Sequence, residues 1–299
     1  MTDQPRTHCG YIAIIGRPNV GKSTLLNALI GEKISIISRK PQTTRHQIAG
    51  IKTIDNTQFI YIDTPGIHRD QNKLAMNRYM NRLASSVITD ADAVVFLIEA
   101  QRWQPEDEAI LRQIGQAKVP VILAINKLDT LKDKKYVLPL MDLIKDKYDF
   151  ADIIPLSAKS GDNLDLLENV LMKYMPEGPH LFPEEQITDR SDSFRIAEII
   201  REKIIHATGQ ELPYNTTVVI ESMKSDIHKV DISAIIWVAR EGQKPIIIGA
   251  NGERLKKIGT LARKEIVRLL GRKVFLRLWV KVKSNWTDDE RALGSLGYE

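Results

Sequence analysis

The chain of 299 residues has a single cysteine, Cys9. One thiol cannot close an internal disulfide, which fits a reducing compartment. The six histidines, at 8, 46, 68, 180, 206 and 228, share no ligand spacing with Cys9, which argues against a structural zinc site. No window approaches 18 uninterrupted apolar residues, so a membrane-spanning helix is not expected. The opening Met1-Thr2-Asp3-Gln4-Pro5-Arg6 lacks the apolar centre of a secretory leader. These absences point to the cytoplasm.

What is present is ordinary in amount but uneven in placement. Hydrophobic residues make up 43% and charged residues 27%, enough for a sizeable core and too apolar for global disorder. The length suits two domains. The net charge of +5 is not spread evenly. Residues 1–190 hold 24 basic and 24 acidic side chains, whereas residues 191–299 hold 19 and 14. Between 254 and 283 there are 11 basic residues against one acid, Glu265. Such a face suits an anionic polymer or an anionic surface. A solvated helix and strand would carry the same charges with no partner.

Short apolar runs alternate with amphipathic stretches in the first half, the pattern of a mostly parallel sheet with crossover helices. Strands are expected at Tyr11–Ile15, Phe59–Ile62, Ala93–Ile98, Val121–Ile125 and Ile153–Leu156, with helices over 21–30, 72–89, 105–117, 135–148 and 162–174. Pro176, Gly178, Pro179 and Pro183 mark 176–192 as a linker between a first domain, 1–175, and a second, 193–283, with a tail at 284–299. In the second domain a helix at Phe194–Ala207 precedes strands at Thr216–Met223 and Asp231–Ala239. A short β-prone run, Ile246-Ile247-Ile248, a helix at Arg254–Leu270 and a strand at Val274–Val282 complete it. The fold class expected is α/β followed by a smaller α+β domain.

Gly16-Arg17-Pro18-Asn19-Val20-Gly21-Lys22-Ser23 fits G-x-x-x-x-G-K-[ST] between a strand and a helix, the context the motif requires. Its glycines let successive backbone N–H groups turn inward on phosphate at a helix N-terminus. Lys22 adds a cation for the β- and γ-phosphates, and the Ser23 hydroxyl can ligate Mg²⁺. Asp63-Thr64-Pro65-Gly66 ends a strand, where an acid reaches the magnesium shell and a glycine N–H the γ-phosphate. Asn126-Lys127-Leu128-Asp129 follows another strand, and the Asp129 carboxylate can accept from both guanine donors, which adenine lacks. Ser157-Ala158-Lys159 can offer a backbone N–H to guanine O6. In order and spacing these four strings resemble the GTPase signature.

Finer strings narrow the resemblance. In GTPases carrying Thr-Thr-Arg, as in Pro41-Gln42-Thr43-Thr44-Arg45 here, the second threonine closes on Mg²⁺ when the γ-phosphate is present. The resemblance therefore assigns Thr44 to the metal, and Lys22, Thr44 and Gly66 to catalysis. Asn19 resembles the asparagine that holds K⁺ in potassium-activated members. Ile67 stands where many signalling GTPases carry a water-orienting glutamine, so slow intrinsic hydrolysis is expected. Gly249-Ala250-Asn251-Gly252 before the basic helix resembles the GxxG loop of a type 2 KH domain, which clamps single-stranded RNA. Arg254, Lys256 and Lys257 would supply the charge that the loop itself lacks.

A Thr-Thr-Arg GTPase joined to such a domain, with Leu278-Trp279-Val280-Lys281-Val282-Lys283 and Trp286 beyond, resembles the Era family of bacterial GTPases over residues 9–298. That resemblance implies GTP hydrolysis with Mg²⁺, binding to the 3′ end of 16S ribosomal RNA and a part in small-subunit maturation. It also allows a peripheral contact with the inner face of the cell membrane. The alternative function is a membrane-surface GTPase docked on anionic lipid through the basic helix.

Overall fold

The structure is a computed structural model that describes residues 6–38, 40, 43–66, 75–116, 118–208, 216–296 and 298. The chain divides into two compact units. The first contains β1 (His8–Gly16), α1 (Lys22–Ile30), β2 (Ile48–Ile54), β3 (Thr57–Asp63), most of α2 (Ala75–Asp90), β4 (Ala93–Glu99), α3 (Pro105–Ile114), β5 (Val121–Asn126), α4 (Leu138–Ile144), β6 (Asp152–Pro155) and α5 (Leu164–Met172). Its sheet runs β2-β3-β1-β4-β5-β6, parallel except for β2. Strands β3 and β5 are buried along their whole length, which is why they read as continuous apolar runs rather than alternating ones. Phe96, Ile98, Leu123 and Ile125 pack on one side of this sheet with Ile110 and Ile114 of α3.

Strand β2 has no counterpart among the expected elements. It folds back on β3 through Asp55 and Asn56, with Ile54 opposite Thr57 and Asp55 at φ 49°. The two β-prone runs around an Asp-Asn turn were a hairpin signal. Gly50 masks it by weakening the strand propensity, and a Cβ there would press on the Leu26 and Ile30 side chains of α1, which would have to shift.

Residues 176–189 are not free chain. The Pro176 carbonyl accepts from Cys9 N–H at 3.0 Å, and Ile187 accepts from Ile51 at 2.9 Å. The fully buried Gln58 amide oxygen takes the Leu181 and Phe182 N–H groups at 2.9 and 3.0 Å. This stretch belongs to the first unit, which reaches Asp189. Only Arg190 and Ser191 separate it from the next helix. Prolines suit such a path because here the strand N–H groups of Cys9 and Ile51 donate and the segment supplies carbonyls, which proline keeps.

The second unit holds α6 (Asp192–Ala207), β7 (Thr216–Ser225), β8 (Lys229–Val238), α7 (Lys244–Ile248), α8 (Glu253–Leu270), β9 (Lys273–Val282) and α9 (Glu290–Gly294). Strand β8 is central, antiparallel to β7 and parallel to β9. Ile200 and Ile204 of α6 and Ile258, Ala262 and Ile266 of α8 form one core with Ile232 and Ile236 of β8. The Ile246–Ile248 run is helical, not extended. Pro245 presets the first helical turn, and Gly249 at φ 74° ends it, so local backbone chemistry overrides the β preference of three isoleucines. Segment 36–43 also belongs to this unit. Lys40 donates to the Ile205 and Thr208 carbonyls at the end of α6 at 2.5 Å each, and buried Arg201 donates to the Thr43 carbonyl while paired with Glu198 at 2.7 Å. In the tail, buried Trp286 stacks on Tyr298, whose hydroxyl lies 3.0 Å from that of Thr217.

Candidate functional site

In the first unit the four strings meet at the C-terminal ends of neighbouring strands, where open α/β sheets bind ligands. The phosphate loop leaves β1 at Gly16, which lies so close to the Leu97 carbonyl that a Cβ could not fit. Asn19 at φ 65° and Gly21 at φ 107° turn the chain into α1. Lys22 is buried and donates from Nζ to the Gly16 and Arg17 carbonyls at 2.9 Å each. Burial lowers its pKa to about 8, with nearby Asp63 acting in the opposite direction. Pro18 touches the place where a Gly66 side chain would begin, so glycine alone lets that backbone approach the loop.

The side-chain oxygens of Ser23, Thr44 and Asp63 converge. Ser23 Oγ donates to Asp63 Oδ2 at 2.7 Å and lies 2.9 Å from Thr44 Oγ1, which is itself 3.4 Å from the same carboxylate oxygen. Ser35, not anticipated from the sequence, also donates to Asp63 at 3.0 Å. Asp63 is fully buried, and its pKa is raised by burial against the opposing effects of Lys22 and these hydroxyls. Its Oδ1 has no hydrogen-bond partner. A buried, orphaned carboxylate oxygen among hydroxyls is what a hard divalent cation such as Mg²⁺ requires, so the residues fit the group. Thr64 is tied to the Ile14 carbonyl at 3.0 Å, and Pro65 is buried beside it. Pro41, Gln42 and Ile67 lie outside the described residues.

On the base side, Asn126 holds two strings together: its Nδ2 donates to the Val20 carbonyl at 2.8 Å and its Oδ1 accepts from Ala158 N–H at 2.9 Å. Lys127 sits at φ 72°, a conformation rare for a long side chain, and reaches the Asn19 carbonyl at 2.7 Å and Glu99. Asp129 accepts from Ser157 Oγ at 2.7 Å, with the exposed Lys159 ammonium 4.0 Å away. Both carboxylate oxygens thus border a polar rim suited to a guanine edge.

One side chain behaves differently from a phosphate ligand. Arg17 is buried and donates from Nε to Asp107 Oδ1 at 2.6 Å. Asp107 also accepts from the Gln104 N–H at 2.9 Å, capping α3, and burial raises its pKa. The Arg17 guanidinium therefore braces the loop against α3 and does not point at a ligand. An acid in a helix first turn gave no sequence signal of this role.

The second candidate site surrounds the glycine turn. Gly249 has φ 74° and ψ 175°, a region open to glycine, and a Cβ there would strike Arg254. Asn251 and Gly252 follow at φ 49° and 79°, and Gly252 caps α8. Beside it opens a groove of 460 Å³ lined by Gly252, Lys256, Thr260 and Arg263 and floored by Leu276 and Leu278 of β9. Ala250 and Asn251 form the turn itself. Lys257 borders a smaller depression with Lys256 and Leu261. Arg254, expected in the RNA contact, folds back on the Ile246 carbonyl and does not line the groove. Gly259 of α8 also lines the groove, and it, Leu276 and Leu278 are not among the residues expected there from the sequence. A glycine inside an otherwise good helix costs about 1 kcal/mol relative to alanine, and that cost was the signal.

Residues 11–127 match the family described as "50S ribosome-binding GTPase" and residues 211–287 the KH domain family. The chain is 54% identical to GTPase Era of Actinobacillus pleuropneumoniae serotype 5b over all 299 residues, covering 98% of that protein. Against GTPase Era of Ectopseudomonas mendocina it is 53% identical over 298 residues, covering 100% of this chain and 99% of that one. Among solved structures, Era with MgGDPNP and nucleotides 1506–1542 of 16S ribosomal RNA superposes with a TM-score of 0.94 at 44% identity, covering 98% of this chain and 99% of that one. An Aquifex aeolicus Era variant bound to GDP and aluminium fluoride gives the same score at 43% identity and the same coverage. With a nucleotide site on one unit, a glycine-flanked groove on the other and this identity spanning both, the chain belongs to the GTPase Era family.

Proposed function

We propose that the protein binds GTP, hydrolyses it to GDP and phosphate, and engages the 3′ end of 16S ribosomal RNA to assist maturation of the small ribosomal subunit. The observation that carries the enzymatic half is the convergence of Ser23, Thr44 and orphaned Asp63 beside a buried Lys22. On nucleotide binding Lys22 exchanges two loop carbonyls for phosphate oxygens, and Gly66 offers its N–H to the γ-phosphate. Ser23, Thr44 and Asp63 would hold Mg²⁺, directly or through water, and the cation, when bound, neutralises charge developing on the transferred phosphoryl group. Asn19, in the loop at φ 65°, is the candidate for a K⁺ contact, since Ile67 cannot orient water.

For the RNA half, a turn with glycine at each end, beside an apolar-floored groove rimmed by Lys256 and Arg263, suits an RNA backbone with bases inserted. Docking on anionic lipid needs only the charges and leaves the glycines and groove without a purpose. Among the described residues no helix is long and apolar enough to cross a membrane, and cytoplasmic action is part of the proposal. The test pairs nucleotide and RNA titrations. GTP should bind far more tightly than ATP, and a 16S 3′-end oligonucleotide more tightly than its scrambled form. Equal affinity within either pair would refute the corresponding half.

A further inference from the structure

Strand β9 has two faces with different tasks. Val274 and Val280 are buried in the core, and Leu276 and Leu278 floor the groove beside α8. The alternate residues, Phe275, Arg277, Trp279 and Lys281, point to the opposite side of the sheet and are exposed. Phe275 is 57% exposed and Trp279 41%. Both rings stand on the solvated face of the strand, opposite the side that carries the core residues Val274 and Val280. Trp279 is the register partner of Ile235 on β8, which is buried at 6% exposure. Phe275 has the Lys229 ammonium 5.5 Å from its ring centre.

We propose that this open face is a second RNA contact, in which Phe275 and Trp279 stack bases while Arg277 and Lys281 hold the phosphates between and beside them. The proposal rests on the RNA reading of the α8 groove. Strand geometry places alternate residues ~7 Å apart, so an aromatic, a cation, a second aromatic and a second cation succeed one another along one row. Base-stacking platforms combine those two chemistries on a sheet face. Arg277 faces uncharged Ser233 and has no ion pair among the described residues, and Lys281 has only a loose one, 3.9 Å from Glu221. Asp231 is already engaged by Lys229 at 3.1 Å. The row is therefore net basic.

Continuity favours RNA over a protein or lipid occupant. Strand β9 is the edge of its sheet, and the same strand floors the groove on its other face. An RNA chain leaving the groove past this edge meets Arg277 and Trp279 within a few nucleotides. A protein partner would favour a contiguous apolar patch, whereas here the two rings are separated by a guanidinium.

The experiment measures affinity of the full chain for two oligonucleotides, one long enough to fill only the groove and one extended by several nucleotides at both ends. Wild type should bind the longer RNA more tightly. Trp279→Ala and Phe275→Ala should each lower affinity for the long RNA about ten-fold, the range of one lost base stack, and leave the short one unchanged. Trp279→Phe, which keeps a ring, should restore most of the loss and so separate stacking from misfolding. If lengthening gains nothing, or if both alanine variants bind the long RNA like wild type, the proposal is overturned. A loss confined to intact small subunits, with free RNA unaffected, overturns it in favour of a protein contact. The groove reading fails separately: Gly252→Asp would then leave the short RNA as tightly bound as before.

Discussion

Arg17 of the phosphate loop is joined to Asp107 of α3 by a 2.6 Å hydrogen bond, with the acid fully buried and the guanidinium nearly so. The loop that wraps phosphate is thus fixed from behind by a helix 90 residues further along the chain. Removing one partner of such a pair strands the other, which costs about 3–5 kcal/mol. Asp107→Ala should lower the melting temperature and weaken GDP binding together, because the loop loses its brace. Asp107→Asn, which still accepts a hydrogen bond, should recover part of both. Thermal unfolding with and without GDP checks this, and a variant with wild-type melting behaviour would show that the pair is dispensable.

Lys22 predicts a pH dependence with a definite sign. Its pKa is about 8 in the buried, phosphate-free site against an ordinary 10.5, so the free protein loses this proton well before an unfolded chain does. Between those values the unfolded state binds more protons, and the stability of the nucleotide-free protein should rise with pH. Nucleotide phosphate favours the ammonium, so binding above pH 8 must be accompanied by proton uptake. GDP affinity should be flat from pH 6.5 to 7.5 and then fall by up to about ten-fold per unit above pH 8. Calorimetry in buffers of differing ionisation enthalpy reads the uptake directly. A Lys22→Ala variant should bind weakly at every pH and show no such step.

The guanine edge supplies a third test. Asp129 has its Oδ1 held by Ser157 at 2.7 Å, so the carboxylate is oriented before any base arrives. Asp129→Asn replaces an acceptor pair by one acceptor and one donor. It should cut GTP affinity at least about a hundred-fold and shift preference to xanthosine triphosphate, whose 2-oxo group accepts the new N–H. Ser157→Ala should weaken GTP binding less, about ten-fold, by releasing the carboxylate. Unchanged base preference in the asparagine variant would move guanine recognition elsewhere.

Legibility followed the range of each interaction. The nucleotide strings could be read because each is a short run whose spacing alone lets it work, and Ser23, Thr44 and Asp63 do meet within 3.4 Å. Asp107, Ser35 and Gln58 were invisible because their roles depend on partners far away in sequence. Strand β2 and helix α7 were misjudged for opposite reasons: Gly50 hid a strand, and three isoleucines hid a helix. The groove beside α8 combines a helix and a strand edge, so only its glycine turn and its charge could be found in advance. Arg254 carried the right charge at the right spacing and still folded back onto Ile246.

The two glycines of that turn should respond differently to the same substitution. At Gly249 an added Cβ meets Arg254, and ψ near 175° with φ 74° is a conformation that side chains rarely adopt. Gly249→Ala should therefore destabilise the second unit, by about 2–3 kcal/mol, and lose RNA binding as a consequence. At Gly252 nothing lies within 4 Å of the added atom, and φ 79° with ψ 6° is left-handed helical, costing alanine about 1 kcal/mol. That open space is the groove itself. Gly252→Ala should thus melt close to wild type yet bind RNA more weakly, and Gly252→Asp should bind more weakly still by adding charge facing phosphate. Lys256→Ala should instead reduce the slope of affinity against salt for cognate and scrambled RNA alike, as expected for one lost phosphate contact. Melting curves and salt titrations on the four variants decide the matter. A Gly252→Ala protein with full RNA affinity would mean that the backbone does not approach RNA at this turn.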